Sequence, residues 1–122
     1  MEYLLHYVWQ HRLYGLAPLA TTDGQAVDVI DPGVHNLVNS GPDFFNAKVK
    51  INGMLWAGNV EVHERSSDWF RHHHDTDAAY NNVVLHIVSA ADAEVRTADG
   101  KQLPQMAVSY THLRAHETSL HL

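Results

Sequence analysis

The feature that most constrains the fold of this sequence is a single β-hairpin. Apolar and polar residues alternate through residues 45–51, which is the pattern of a strand with one buried face. Asn52 and Gly53 follow, and both tolerate the positive φ angles that a two-residue type I′ turn requires. Such a turn pairs Ile51 with Met54 and so determines the register of the two strands. We therefore expect the sheet to be built around this hairpin.

Two acidic residues lie on the hairpin strands. Asp43 precedes the first strand, and Glu61 lies on the second with His63 two residues later. Residues i and i+2 of a strand point to the same side, so Glu61 and His63 share one face. The two-residue turn places Asp43 opposite Val62, on the other face from Glu61. A site shared by both carboxylates therefore requires a β-bulge or strand break near residues 41–44.

A three-residue loop, which pairs Lys50 with Met54, is the alternative connection. It would place the two acidic residues directly opposite each other, but it would mix lysines with Trp56 on one face of the sheet. The hydrophobic pattern therefore favours the two-residue turn.

The segments on either side of the hairpin predict an α/β fold. The run 83–88 is apolar except for His86, which is typical of a strand covered on both faces. The predicted elements are a helix at 2–14, strands at 26–30, 45–51 and 54–64, a helix at 68–80, a strand at 83–88 and a short edge strand at 93–97. The fold class is thus α/β with a mixed sheet, and the core order is helix-strand-strand-strand-helix-strand.

Length and composition limit the function classes. A chain of 122 residues supports one domain, and the formal net charge of -6 with 8 Lys and Arg residues lacks the basic patch typical of nucleic-acid binding. Without Cys, disulfides and thiolate metal sites are excluded. No apolar run is long enough to span a bilayer and no signal peptide is recognisable, so we expect no membrane association and a cytoplasmic location.

The C-terminal segment has a different character. Residues 108–118 resemble one reading frame of a transposase-type sequencing adapter. We therefore expect residues 108–122 to be non-native, and residues 1–107 to be the N-terminal part of one α/β domain that is truncated at its C-terminal end. Leaving out His112, His116 and His121 from the 11 histidines leaves 8, so the histidine richness belongs to the native part.

Several phrases of the sequence resemble an uncharacterised bacterial family, domain of unknown function 2851. The phrases are PGVHN at 32–36, SGPDFFNA at 40–47, WAGNVEVH at 56–63, SDW at 67–69, HHH at 72–74 and YNNVVLHIV at 80–88. The similarity covers residues 1–107. It implies no biochemical activity, because none is established for that family.

The order of the acidic residues resembles a second, broader group, the PD-(D/E)xK nuclease superfamily. In that superfamily a Lys stands at the position of His63, and the predicted element order is similar to its restriction-endonuclease-like core. The resemblance implies that Asp43 and Glu61 bind a divalent cation, magnesium or manganese, with His63 as base or third ligand. It also implies metal-dependent phosphodiester hydrolysis, with nucleic acid as the candidate partner. A His ligand would shift the preference towards manganese, zinc or iron.

The remaining polar residues leave alternatives open. His72 and His74 are poor co-ligands on a helix, where residues two apart do not share a face, unless this segment is a loop. A zinc site of His63, Glu61 and one of these histidines is one alternative, and a solvent-facing helical turn is the other. His86 is either a hydrogen-bonded core histidine or a member of the same site. The accessory candidates are Asn36, His72, His74, Asp77 and His86.

A function from another class is a nonenzymatic binding or scaffold domain, in which the histidines and aspartates form a buried polar network. The two hypotheses differ in geometry. An enzyme requires the carboxylates of Asp43 and Glu61 to converge on one cation, whereas a scaffold leaves them dispersed. The sequence predicts neither a substrate nor an oligomeric state.

Overall fold

The computed structural model describes residues 2–15, 17–37 and 40–109. Its elements are α1 Glu2–Gln10, β1 Leu19–Ala20, β2 Ala26–Asp31, β3 Val34–His35, β4 Phe44–Ile51, β5 Met54–Arg65, α2 Asp68–Arg71, 3-10 segments at His74–Thr76 and Ala78–Tyr80, β6 Val83–Ala90 and β7 Gln105–Ala107. The strands form one sheet in the order β1-β2-β4-β5-β6-β7, with β3 also paired to β4. Pairing is antiparallel from β1 to β5 and parallel from β5 to β7, so the predicted α/β class with a mixed sheet is confirmed.

One face of the sheet forms the main hydrophobic core under α1. Alternate residues of the central strands point to this face, as the period of a strand requires. The buried residues of the core include Leu5, Val8 and Trp9 of α1 and Val49, Val60, Val62, Leu85 and Ile87 of the sheet. The intervening residues of the same strands point to the opposite face, which α2 and the 3-10 segments cover.

The hairpin has the predicted register at its turn, with Ile51 opposite Met54. The register then shifts between Phe44 and Ala47, so the required bulge is present and lies just after the interval of 41–44 in which it was expected. Asn46 lies within the bulge at a φ of 59°. Asn is among the few residues that tolerate this left-handed backbone, which explains how the chain inserts an extra residue here.

The bulge changes the residue that Asp43 faces. Beyond it Phe44 pairs with Val60, so the preceding residue lines up with Glu61 and no longer with Val62. The backbone N–H of Asp43 donates to Glu61 Oε1 at 3.1 Å, and the N–H of Val62 donates to Asp43 Oδ2 at 2.8 Å. The two acidic side chains are thereby brought together.

The predicted second helix at 68–80 is wrong beyond its first turn. α2 ends at Arg71, and His73 adopts a left-handed φ of 61°. A left-handed residue just after the last helical turn is a common way to end a helix. Two 3-10 segments follow, and the Asp77 side chain accepts a hydrogen bond from the N–H of Ala79 at 2.9 Å. Such side chain-to-backbone bonds compete with helix continuation.

The ends of the chain also differ from expectation. α1 ends at Gln10, before the predicted residue 14, and Arg12 has a φ of 56°. The predicted strand at 93–97 is wrong, because its only pairing among the described residues is an isolated bridge between Arg96 and Gln102. Instead β7, which was not predicted, pairs parallel with β6.

Part of the segment expected to be non-native is described. Val108 is buried in the main core, and its N–H donates to the carbonyl of Val88 at 2.8 Å. Residues 110–122 lie outside the described residues. Within the described residues, no helix combines the length and apolar character needed to cross a membrane.

Candidate metal centre

The candidate site lies on the sheet face opposite α1. Glu61 and His63 of β5 point to this face together with His86 of β6, because the parallel pairing sets Glu61 beside His86. His72 and His74 reach the same place from the turn that follows α2. All of these side chains except His72 are buried. The site thus combines a rigid sheet with a short covering turn.

Three histidines form the centre of the site. His63, His72 and His74 each offer one ring nitrogen, and these atoms lie within 4.8 Å of one another. His63 Nε2 and His72 Nδ1 are 3.2 Å apart. The left-handed His73 turns the chain between its two neighbours, so they share a face that a helix would not have given them. This group could hold a metal ion. The alternative of a solvent-facing turn holds for His72 and His73, which are exposed, but not for His74, which is buried, and the α-helix has already ended at Arg71.

The carboxylate of Glu61 borders the three histidines. Its Oε2 atom is 3.3 Å from His63 Nε2 and 2.8 Å from His74 Nε2. The shorter separation lacks the direction of a hydrogen bond, and neither ring nitrogen of His74 has a hydrogen-bond partner in the part of the chain that is described. Ligand atoms at about 2.1 Å from one cation are about 3.0–3.4 Å apart in octahedral or tetrahedral geometry. The separations of 3.3 Å between Glu61 Oε2 and His63 Nε2 and of 3.2 Å between His63 Nε2 and His72 Nδ1 fall in this range, whereas the 2.8 Å to His74 Nε2 is shorter.

Aromatic rings hold His74 in this orientation. Tyr80 stacks on the His74 ring with centroids 3.7 Å apart, and Trp69 meets it edge-on at 5.2 Å. The Trp69 indole N–H donates to the carbonyl of Arg96 at 2.9 Å, which fixes the indole in turn. A ring packed on two sides cannot readily rotate its nitrogens away, so the cost of leaving them without a hydrogen bond persists.

The donor set discriminates between metals. Imidazole nitrogens suit zinc, copper, iron and nickel, whereas magnesium prefers oxygen ligands and retained waters. Three histidines bordered by one carboxylate therefore fit a transition metal better than magnesium. The zinc alternative joined His63 and Glu61 to one histidine of the run, and the structure brings both His72 and His74 beside His63.

Glu61, which is buried, and Asp43, which is half-buried, form a carboxyl pair beside the histidines. Burial, and for Asp43 also the adjacent negative charge of Glu61, raises the pKa of each carboxyl to about 8. Two carboxyls in one desolvated place cannot both ionise readily, so the pair retains a proton at neutral pH when no cation is near. A bound cation would favour release of that proton.

The buried histidines are neutral. Burial, followed by repulsion from the neighbouring imidazoles, lowers the pKa of His63 far below its usual range. Burial also lowers the pKa of His86 to about 4 and lowers the pKa of His74. Neutral imidazole is the form that binds metals. The pKa directions at this site are thus those of a ligand set.

His86 matches the first of its two predicted alternatives, a hydrogen-bonded core histidine, and it also contacts His63 of the candidate site. It is a core histidine with hydrogen-bonding contacts at both nitrogens, and one contact joins it to the site. His86 Nε2 lies 2.8 Å from His63 Nδ1, and His86 Nδ1 lies 2.9 Å from Gln105 Oε1. Gln105 was missed from the sequence; its only signal is a polar residue between Pro104 and Met106 in an otherwise apolar stretch.

A second group adjoins the first through Asp43. Glu2, His6 and Asp43 offer ligand atoms within 4.8 Å of one another. His6 Nε2 is 3.7 Å from Glu2 Oε1 and 3.6 Å from Asp43 Oδ2, while His6 Nδ1 lies 2.9 Å from His35 Nε2. The four-residue spacing of Glu2 and His6 on α1 shows that they share a helix face. The sequence contains no signal that this face lies over Asp43.

Two accessory candidates have structural contacts. The Asn36 side chain donates to the carbonyl of Pro42 at 3.1 Å, and its backbone N–H donates to the carbonyl of Asp43 at 2.8 Å. It therefore braces the loop that carries Asp43. Asp77 is exposed and caps a 3-10 segment through Ala79, and it is absent from the two groups of potential metal ligands among the described residues.

Comparison with known proteins yields a family match. A family model described as a protein of unknown function, DUF2851, matches residues 2–121. No curated protein and no solved structure matches the chain. Functional inference therefore depends on the geometry of the site.

Proposed function

The chain belongs to DUF2851, a family of proteins of unknown function, and we propose that it is a metal-dependent hydrolase. The observation that carries the proposal is His74. It is a buried imidazole whose Nδ1 has no hydrogen-bond partner among the described residues and whose Nε2 makes a close contact of 2.8 Å with Glu61 Oε2, beside His63 and His72. A buried polar group without a partner is costly, and a cation bound between these atoms would remove that cost.

In this proposal His63, His72 and His74 hold a divalent transition metal, with zinc and manganese as the candidates. When bound, the ion supplies a Lewis acid and lowers the pKa of a coordinated water. Glu61 orients a water or completes the ligand set, since its Oε2 already borders two of the histidine nitrogens. Because a bound cation favours release of the proton held by Asp43 and Glu61, this carboxyl pair would then be the proton acceptor of the site.

The proposed substrate class is the phosphodiester. Its support is the resemblance of the order Asp43, Glu61 and His63 to the metal-site order of the PD-(D/E)xK superfamily, whose restriction-endonuclease-like core we take as the finer description of this fold. The bulge supports the resemblance, because it brings together the two carboxylates that the register of a regular hairpin would separate. The net charge of -6 favours a small phosphodiester over a long nucleic acid.

Calorimetric titration of the full chain with Zn²⁺ and Mn²⁺ tests the metal centre. We expect saturable heat that His72→Ala weakens at least about tenfold, because loss of a ligand costs no less than loss of an outer-shell partner. His73→Asn is the matched control, since His73 is exposed and Asn tolerates its left-handed backbone. Absence of metal-dependent heat, or equal weakening by both substitutions, would refute the proposal.

Hydrolysis of bis(4-nitrophenyl) phosphate by the zinc- or manganese-loaded chain tests the reaction. We expect metal-dependent turnover that Glu61→Gln lowers about 100-fold or more, the usual contribution of an acid–base group. Glu94→Gln, which changes an exposed carboxylate, should retain turnover. Metal binding without turnover would leave a metal-binding protein and remove the hydrolase assignment.

The scaffold hypothesis has one observation in its favour. The contacts from His63 through His86 and Gln105 continue to the carbonyl of Ala93, to which Gln105 Nε2 donates at 2.7 Å. This network is satisfied without a metal. A scaffold predicts no metal-dependent heat, so the calorimetric titration separates the two hypotheses.

A further inference from the structure

We propose that Gln105 sets the tautomer of His63 through His86, so that His63 Nε2 presents its lone pair to the metal centre. Gln105 is then a positioning residue, although the side chain of His86 separates it from His63, the nearest candidate ligand. The tautomer assignment depends only on contacts within the chain. Its consequence for metal binding rests on the proposed function.

The first step is the orientation of the Gln105 amide. Its Nε2 atom lies 2.7 Å from the backbone carbonyl of Ala93, and its Oε1 atom lies 2.9 Å from His86 Nδ1. A carbonyl only accepts hydrogen bonds, so the amide NH₂ must face Ala93. The opposite orientation would set two acceptors against each other. The amide oxygen therefore faces His86.

The second step is the tautomer of His86, which the orientation of the Gln105 amide determines. Because Gln105 Oε1 can only accept, His86 Nδ1 must carry the hydrogen. A neutral His86 then has its lone pair on Nε2, which lies 2.8 Å from His63 Nδ1. His63 must donate from Nδ1, and its own lone pair is left on Nε2. This is the nitrogen nearest Glu61 Oε2 and His72 Nδ1.

A charged His86 would reverse the result, because it would donate from both nitrogens and force His63 to accept at Nδ1. His86 has no exposed surface, and both of its nitrogens contact uncharged groups, His63 and Gln105. A buried charge without a counter-charge is strongly unfavourable. Trp69 packs edge-on against the His86 ring with centroids 5.2 Å apart, which hinders rotation of the ring. The neutral relay is therefore the form that the structure supports.

The sheet explains why these three residues form a relay. β7 pairs parallel with β6 so that Gln105 lies beside His86, and β6 pairs with β5 next to His63. Metal-binding histidines usually have their second nitrogen held by a carboxylate, a carbonyl or water. Here the imidazole of His86 takes that place, and the amide of Gln105 determines which nitrogen of His86 carries the hydrogen. The edge strand β7 thus acts on a ligand that it does not contact.

Long-range ¹H–¹⁵N NMR of the metal-free full chain tests the assignment. We expect both His63 and His86 to be the Nδ1–H tautomer, which is the minor form of a free histidine side chain in water. His63 observed as the Nε2–H tautomer in the wild-type chain would overturn the inference, and this measurement needs no variant.

Substitution of Gln105 tests the causal step. In Gln105→Met, which removes the acceptor at similar volume, we expect His86 and His63 to shift towards Nε2–H and zinc affinity to fall about 10- to 100-fold. Gln102→Met, which makes the same change at an exposed position, is the control and should leave the Nδ1–H tautomers and the zinc affinity unchanged. Unchanged tautomers in Gln105→Met would refute the relay even where zinc still binds. Correct tautomers without zinc binding would refute the metal centre and leave the relay standing.

Discussion

The two faces of the central strands differ in chemistry although both are buried. On the α1 face Val62 and Ile87 pack into a hydrophobic cluster, whereas on the opposite face their chain neighbours His63 and His86 form a polar one. An apolar face needs only close packing to be stable. A polar face needs a partner for every nitrogen and oxygen, and each missing partner costs free energy.

The difference indicates a division of roles. The α1 face supplies the burial that holds the sheet together, and the polar face retains His74 with no hydrogen-bond partner among the described residues. An arrangement selected only for stability would replace such a residue with an apolar one. We interpret the α1 face as the structural face and the polar face as the functional one.

The largest expected effect is on the structural face. Leu85→Ala should lower the free energy of unfolding by about 2–5 kcal/mol, because Leu85 is fully buried under α1 and truncation leaves a cavity. Urea unfolding measures the loss, and zinc titration of the folded variant should give an unchanged affinity. Val84→Ala on the same strand, at a half-buried position, should cost less. A zinc affinity that falls in parallel with stability would contradict the separation of the faces.

A pH dependence is expected from the functional face. The pKa values of Asp43 and Glu61 rise from ordinary values of 3.8 and 4.5 to about 8, so their contribution to stability is present at low pH and is lost as pH rises through about 8. The buried histidines act in the opposite sense, but their contribution is complete above their ordinary value of 6.5. Between pH 6.5 and 8.5 the metal-free chain should therefore lose stability as pH rises.

Unfolding in the presence of a chelator at several pH values measures this slope. Glu61→Gln should reduce the slope, because one of the two ionising groups is removed. Leu85→Ala should lower stability at every pH and keep the slope. A wild-type stability that is flat or rising over this range would mean that the carboxyl pair is not desolvated as the structure shows.

The smallest expected effect concerns the bulge that joins the faces. Asn46→Ala should lower the free energy of unfolding by about 1 kcal/mol, because Ala tolerates the left-handed φ of 59° less well than Asn does. Asn46→Gly should be close to neutral, since Gly adopts this backbone freely. Thermal unfolding compares the two variants. Equal losses would point to the Asn side chain and not to its backbone angle.

The hairpin could be predicted because its signals are local. Alternation in residues 45–51 and the turn at Asn52 and Gly53 fix the register, and the register shows that Asp43 and Glu61 can meet only through a bulge. The sequence carries one sign of the bulge itself, which is Asn46, because Asn tolerates the left-handed backbone at that position. The family resemblance also followed from sequence phrases and is confirmed by the family match.

The covering turn and the last strand could not be predicted in the same way. A left-handed residue often ends a helix, but no residue type in the run marks His73 as that residue. The position is set by His74, which packs between Tyr80 and Trp69, residues that are brought there by the rest of the fold. β7 has only three residues and pairs in parallel with β6, the strand before it, across a separation of 19 residues between His86 and Gln105. Long-range contacts define both elements, and Gln105 was missed for that reason.

The covering turn bears on how the metal preference of related chains could diverge. Residues 66–82 connect the end of β5 to the start of β6, and this one segment carries two of the three histidines of the candidate site. The third donor and the acidic neighbour belong to the sheet. In the proposed metal centre, replacement of this segment alone would exchange two of the four candidate ligands while the sheet stayed intact. Metal preference could therefore diverge among related chains without any rebuilding of the sheet.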